Sequence, residues 1–453
     1  MAKVSHTYYL DTPVDQAHRR QTISWLLLAL SSLVIGGVLV ILIVLSRTPG
    51  VQEIIPWVDF FKTALVVHVD MTMLVWFLAF AGILWGINSN GACKVCGWPP
   101  VVLAAVGTLG MAVSPFLGDA NPLMNNYVPV LRTPVFLVSL GIFGLGATLQ
   151  ILYGLFGSRP VGRFMDGSAA MRFGLMTSLV AALFAVVSLL WSYMMIPAYM
   201  EDERYYELLF WGGGHVLQFT HTQLMMVVWL WLAAVSGVVI KASPRVLLIL
   251  FALGVAPVLV TPVIYLGWPI ESPAHAVGFA AQMKYGGGLA VLPMGLILLV
   301  SLKGAGKPYK EYRAERSALF FSILLFGLGG MIGFMIAGSD VRIPAHYHGT
   351  IVGVTLAFMG ITYYLLPKLG FRKPVGKWAL RQPAIYGIGQ IIWVAAMAYT
   401  GGHGVQRKTA GVEQGLNTIS EHIAMGIMGI GGMIAIFGGI IYLVVVYKAM
   451  RPE

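Results

Sequence analysis

Two histidines one residue apart, in Arg342-Ile-Pro-Ala-His346-Tyr-His348-Gly, are the side chains whose type and spacing most clearly suit chemistry. Residues two apart on a helix project about 200° from one another. Such a pair cannot grip one ion from one side, but it can hold two groups on opposite sides of its helix. Neutral imidazole is the commonest protein ligand of heme iron, so the spacing points to two hemes flanking one helix. His68 and His215 are the other histidines that fall within apolar runs near the same end of their helices. His275 and His403 fall in connecting loops, His422 at the edge of the last run, and His6 and His18 on a solvated N-terminal tail.

The elements that must position these residues are membrane helices. Of the 453 residues, 58% are hydrophobic and only 10% charged, and the mean hydropathy is +0.81. A soluble domain carries roughly 25% charged residues. Apolar runs long enough to cross a bilayer occur twelve times, at 23–46, 64–87, 98–117, 132–157, 170–197, 209–238, 244–268, 285–302, 317–338, 343–367, 382–400 and 423–447. The expected fold is all-α: a single polytopic membrane domain over residues 1–453, with 1–22 as a cytoplasmic N-terminal tail. The first run is too long, and too far from a small-residue cleavage site, to be a removed signal peptide.

Lysine and arginine set the orientation. Of the 29, 21 fall at the N-terminus, after the even-numbered runs and at the C-terminus, and 8 fall on the other side. The positive-inside rule then makes both termini cytoplasmic. The net charge of +11 reflects that topology, and nothing in it suggests nucleic-acid binding. His68, His215, His346 and His348 all lie near the outer starts of even-numbered runs, so three helices bring four imidazoles to one depth. Polar groups at that depth usually face the bundle interior. The two cysteines, Cys93 and Cys96, lie in a short loop on the cytoplasmic side, where a reduced pair is expected. No Cys-x-x-Cys-His occurs, so any heme is held without thioether links.

The segment Pro344-Ala-His346-Tyr-His348-Gly, continuing to Tyr363-Tyr364-Leu-Leu-Pro367-Lys-Leu-Gly370, resembles the tenth helix of the catalytic subunit of the heme-copper oxidase superfamily. That superfamily comprises oxygen reductases and nitric oxide reductases. The count of twelve helices agrees, as does the second run, His68-Val-Asp-Met-Thr-Met-Leu-Val-Trp-Phe. Thr400-Gly-Gly-His-Gly-Val-Gln-Arg407-Lys408 resembles the family's basic pair. The resemblance implies that His68 and His348 ligate a low-spin heme, that His346 ligates a second, high-spin heme, and that Arg407 and Lys408 neutralise heme propionates. The hemes would be b-type and non-covalently held. His215 falls where the family supplies one ligand of a second metal, copper or non-heme iron.

The chain departs from the family pattern at that second metal. The family completes the site with two adjacent histidines on the seventh helix, and no His-His pair occurs here. The matching segment is either Val277-Gly-Phe-Ala280-Ala281-Gln282, with alanines at both positions, or the neighbourhood of Tyr265. Of the possible substitute ligands, His221, six positions after His215, points to a different face, His275 and Glu271 in the outer loop after the seventh run would have to fold inward, and Gln218 is a weak ligand. Position 219 is Phe, where the family carries a tyrosine or a glutamate. One histidine is a poor transition-metal site. Asp70 is the only acid well inside a run, and the cytoplasmic halves carry no ionisable side chain, which argues against proton pumping.

Two functions compete. One is an electron-transfer subunit of a respiratory complex that keeps both hemes without a complete dinuclear metal centre. The other is a terminal reductase of nitric oxide or oxygen with an unusual second metal site. Either requires a donor, cytochrome c or quinol, and other subunits of a membrane redox complex in a bacterial or archaeal cytoplasmic membrane. The acidic stretch Glu201-Asp202-Glu203 offers a basic cytochrome a docking charge, or is simply a solvated loop.

Overall fold

The computed structural model describes residues 8–12, 15–48, 58–91, 93–117, 121–336, 338–409 and 414–451. Twelve spans long and apolar enough to cross a membrane follow one another among the described residues. The first is α1 (Gln16–Arg47). The second comprises α2 (Val58–Val69), a π-helical turn over Asp70–Val75 and α3 (Trp76–Ile87). Then come α4 (Trp98–Val113), α5 (Pro134–Gly157), α6 (Gly167–Met195) and α7 (Asp202–Val235). The seventh span joins α8 (Pro244–Val255) to α9 (Thr261–Gly267) through a 3-10 segment, and the eighth joins α10 (Pro273–Gly286) to α11 (Gly288–Lys303). Four helices complete the chain: α12 (Arg313–Phe334), α13 (Arg342–Lys368), α14 (Lys377–Gly402) and α15 (Ile419–Met450). A two-residue antiparallel ladder, Pro122–Leu123 against Val130–Leu131, lies between α4 and α5.

The helix starts follow local chemistry. Thr133, Ser243 and Ser272 each precede a proline and each accept a backbone N–H from the first turn. A hydroxyl at the cap with proline at the next position is a favoured start, because proline lacks only an N–H that would be unsatisfied there. Thr418 and Glu421 form a reciprocal capping box at α15.

Ser272-Pro273 moves one boundary. The eighth apolar run was expected to begin at 285, but its helix begins at Pro273. His275 is therefore in the first turn of α10 and 1% exposed, not in an outer loop. The segment Val277–Gln282 opens the eighth span, leaving Tyr265 as the neighbourhood in the seventh. His18 also departs from expectation: it is buried, with Nδ1 2.9 Å from Asp15 and Nε2 3.2 Å from the Tyr153 hydroxyl. His6 lies outside the described residues. Cys93 and Cys96 are joined in a disulfide rather than reduced. Their Cα atoms are 5.5 Å apart, within the range a bridge requires.

The chain divides into two compact units. One takes the described residues of Met1–Ser32, Val69–Ala234 and Val239–Gly304, and contains His215 and the cysteines. The other takes those of Leu33–His68, Val235–Val238 and Ala305–Glu453, and contains His68, His346 and His348. In the second unit α12 and α13 pack backbone to backbone. A Cβ on Gly329 would lie 2.5 Å from the Thr350 nitrogen, and one on Gly349 would lie 2.5 Å from the Gly329 Cα. Only glycine permits that approach.

Candidate functional site

The close approach of α12 and α13 fixes the first imidazole. His346 Nδ1 donates to the Gly329 carbonyl at 2.7 Å. A carbonyl only accepts, so the proton sits on Nδ1 and Nε2 carries the lone pair, the arrangement in which a histidine ligates a metal. Gly333 serves the same ring, since a Cβ there would lie 2.7 Å from His346 Nδ1. His68, at the end of α2, is set the same way: its Nδ1 donates to the Gly36 carbonyl of α1 at 2.9 Å. His348 lies against Trp393 of α14, ring centroids 4.0 Å apart. It is close enough to His68 and to Arg47 to interact electrostatically with both.

Arg47, the last residue of α1, was not singled out in the sequence because it sits at the end of an apolar run like any outer-face cation. In the fold it is 8% exposed, and its Nε is buried with no hydrogen-bond partner. Its Nη2 reaches the Gln406 carbonyl at 3.4 Å. An unpartnered buried guanidinium nitrogen is costly unless an anion meets it.

The loop after α14 folds onto the start of α13. Val341 N donates to the Val405 carbonyl at 3.1 Å, and Asp340 bridges to Gln406. Arg407 Nε donates to Ser339 Oγ at 3.1 Å. Lys408 adopts φ +60, a left-handed conformation unusual for a non-glycine residue. Asp340 clasps Arg342, accepting from its backbone N–H at 2.8 Å and its Nη2 at 2.6 Å. Burial alone would raise the Asp340 carboxyl; the Arg342 hydrogen bonds and the charges of Arg342 and Arg407 outweigh it and hold the carboxyl below its ordinary value. Arg47 and Arg407 both act on Tyr347, between the two histidines. Cations and the His68, His346 and His348 imidazoles thus belong to one neighbourhood in the second unit. Carboxylate-bearing hemes would fit that set: His68 and His346 with their protons fixed on Nδ1, and a buried cation with an unpartnered nitrogen.

His215, in the first unit, has different surroundings. Its Nδ1 donates to the Trp211 carbonyl at 2.8 Å. Its ring neighbours are Trp211 at 4.6 Å, Tyr127 at 4.8 Å and Phe279 at 6.1 Å. Tyr265 stacks on Trp191 and donates its hydroxyl to the Ser188 carbonyl at 2.9 Å. The Tyr127 hydroxyl is raised strongly by burial, with Glu207 adding to the effect. Among the described residues no group of three histidine, cysteine, aspartate or glutamate side chains comes together. The rings beside His215 are not metal donors; His275 packs on the same Phe279, its Nε2 buried without a hydrogen-bond partner. His221 is buried against Phe77, 4.8 Å between centroids, with its Nδ1 unpartnered.

Two buried acids complete the picture. Asp70, in the π-turn, has neither carboxylate oxygen hydrogen-bonded. Glu315, the third residue of α12, is 2% exposed; the sequence reading placed it outside its run, so the basic ends of the helices are less bare than expected. It interacts electrostatically with Tyr363, whose hydroxyl donates to Gln382 Oε1 at 3.2 Å. Gln382 Nε2 donates to the Gly438 carbonyl at 3.3 Å.

Comparison with known proteins agrees with this architecture. Residues 20–441 match the family model described as cytochrome C and quinol oxidase polypeptide I. An uncharacterized protein of Rickettsia prowazekii (strain Madrid E) is 30% identical, over 94% of this chain and 95% of its own length. An uncharacterized protein of Aquifex aeolicus (strain VF5) is 30% identical, over 78% of this chain and 86% of its own. Among solved structures, a heme-copper terminal oxidase dimer determined by cryo-EM superposes with a TM-score of 0.78 at 17% identity, covering 97% of this chain and 85% of that one.

Proposed function

The chain belongs to the cytochrome c and quinol oxidase polypeptide I family, as a divergent, integral membrane member of the heme-copper oxidase subunit I superfamily, and from that membership we infer a heme-binding electron-transfer subunit. In this reading His68 and His348 hold a low-spin heme, His346 holds a second heme, and no complete dinuclear metal centre accompanies them. Bound hemes supply one-electron redox chemistry.

The protein's own part is positioning and charge. The Gly36 and Gly329 carbonyls hold the protons of His68 and His346 on Nδ1, and thereby orient both rings. Trp393 limits the rotation of His348. Arg47, Arg407 and Lys408 supply positive charge for propionate carboxylates, with charge-assisted hydrogen bonds as the favourable term. The Asp340–Arg342 clasp and the Val341–Val405 hydrogen bond hold the cation-bearing loop at the start of α13. Electrons come from cytochrome c or quinol and pass to other subunits of a membrane redox complex, in a bacterial or archaeal cytoplasmic membrane with the basic face inside.

The observation that carries the electron-transfer reading is the aromatic shell around His215, where copper or non-heme iron would need further ligands. Metal and heme analysis of purified protein tests it. Two hemes per chain with neither copper nor additional iron are expected, and reduced protein should consume neither oxygen nor nitric oxide at a competent rate. One extra metal together with sustained gas turnover would overturn it in favour of a terminal reductase.

A further inference from the structure

Cys93 and Cys96 close a disulfide in the turn between α3 and α4. We propose that this pair is a reversible thiol–disulfide exchange site for low-molecular-weight thiols of the glutathione class. The proposal stands independently of the heme reading.

A bridge between residues three apart restrains very little chain, and loop entropy is the main stabilisation a disulfide offers. Structural support is therefore a poor account of it. Exchange suits it better on three counts. Cys96 is exposed while Cys93 is partly covered, so an incoming thiolate reaches the Cys96 sulfur. The leaving group is then Cys93, whose Sγ already accepts the Cys96 backbone N–H at 3.2 Å. Both cysteines also precede α4, a 16-residue helix, by a few residues in sequence. Hydrogen bonding and a helix N-terminus both favour thiolate over thiol, and a more stable leaving thiolate departs faster.

The turn is also held for reclosure. Gln21 Nε2 donates to the Lys94 carbonyl at 2.7 Å, and the Tyr153 hydroxyl donates to the Cys93 carbonyl at 3.3 Å. Lys94 Nζ lies 3.7 Å from Asp15. With the adjacent Cys93 and Lys94 carbonyls pinned to α5 and α1, the Cys93 end of the turn is held in place when the bridge opens. The excess of lysine and arginine on this side of the chain marks it as the cytoplasmic face, where disulfides are typically exchangeable and redox-sensing.

The chemistry balances in two steps. A small thiolate attacks Cys96 Sγ; the new sulfur–sulfur bond forms as the Cys93–Cys96 bond breaks, and Cys93 leaves as thiolate. A second small thiolate attacks the adduct's outer sulfur and releases Cys96 as thiolate. Two protein thiolates take up protons, and two small thiols have become one small disulfide. Reoxidation is the reverse.

The test uses the full-length protein in native membranes, equilibrated with mixtures of reduced and oxidised glutathione, acid-quenched, and labelled with a mass-tagged maleimide under denaturing conditions. Both thiols should appear together, in one two-electron transition within the glutathione range. In the wild-type protein the trapped mixed disulfide should sit on Cys96, and in Cys93→Ser the glutathione adduct should accumulate there because no resolving thiol remains. A pair that stays oxidised, or stays reduced, across every mixture overturns the proposal. So does a trapped mixed disulfide on Cys93 rather than on Cys96.

Discussion

Alanine at Gly329 and alanine at Gly330 should have opposite effects, although they are neighbours on one helix. A Cβ on Gly329 would lie 2.5 Å from the Thr350 nitrogen, 2.7 Å from the His346 carbonyl oxygen and 2.8 Å from the Gly349 carbonyl carbon. All three are backbone atoms of α13, so no side-chain rotation can relieve the contact. Ordinary carbon contacts need about 3.5–4.0 Å, so the two helices must part by roughly 1 Å. Overpacking of that kind costs about 1–3 kcal/mol. Separation also strains the His346 Nδ1 hydrogen bond to Gly329, worth about 1 kcal/mol. Against this stands the helix preference of alanine over glycine, about 1 kcal/mol. The net for Gly329→Ala is a loss of about 1–3 kcal/mol. A Cβ on Gly330 meets nothing within 4 Å, so Gly330→Ala keeps the gain alone. Thermal unfolding of the two detergent-purified variants, read beside the spectrum of the heme proposed to bind at His346, measures the difference. Equal stabilities and equal spectra would refute the argument that backbone contact between α12 and α13 positions His346.

Three other expectations follow from the same unit. His348→Ala should abolish the low-spin heme signature in electron paramagnetic resonance while His346→Ala retains it, and the reverse pattern would exchange the two assignments. Asp340→Asn should cost about 1.5–3 kcal/mol at neutral pH, the usual size for hydrogen bonds to a charged group. The Asp340 carboxyl is held below the ordinary aspartate value of about 3.9. Its contribution is therefore present above that value and is lost as pH falls through the lower folded one, so wild type and variant should converge in acid unfolding experiments. Arg47→Gln should lower a heme midpoint potential, because a nearby cation favours the form with the extra electron, by an amount on the order of 1 kcal/mol; an unchanged potential in redox titration would detach Arg47 from the hemes.

Much of this was legible in the sequence because membrane helices declare themselves by composition and because paired histidines are rare inside them. His68, His346 and His348 stood out by type and depth, and the fold places all three in one unit; their roles came from the resemblance. Two of the failures share a cause: hydropathy measures length of apolar run, and helices extend past it. Glu315 and His275 sit in first turns that are helical but not apolar, so both were placed outside their helices. Ser272-Pro273 was the available signal for α10, a hydroxyl cap followed by proline. Arg47 was invisible for a different reason, since its burial depends on the loop carrying Gln406, more than three hundred residues away in the chain. The disulfide was misjudged because compartment was weighed and local geometry was not. His18 was read as a tail residue, and the partner that buries it, Tyr153, lies on α5.

The π-turn over Asp70–Val75 has a consequence for ancestry. A wider turn of this kind accommodates one more residue than the α-helix around it, so it reads as a single-residue insertion tolerated without breaking the helix. The insertion falls immediately after His68 and before a segment, Trp76–Ile87, that is buried on nearly every side. Register therefore changes between the histidine and the buried segment. An ungapped alignment of this helix with a relative lacking the turn would match either His68 or the tryptophan-rich segment correctly, but not both.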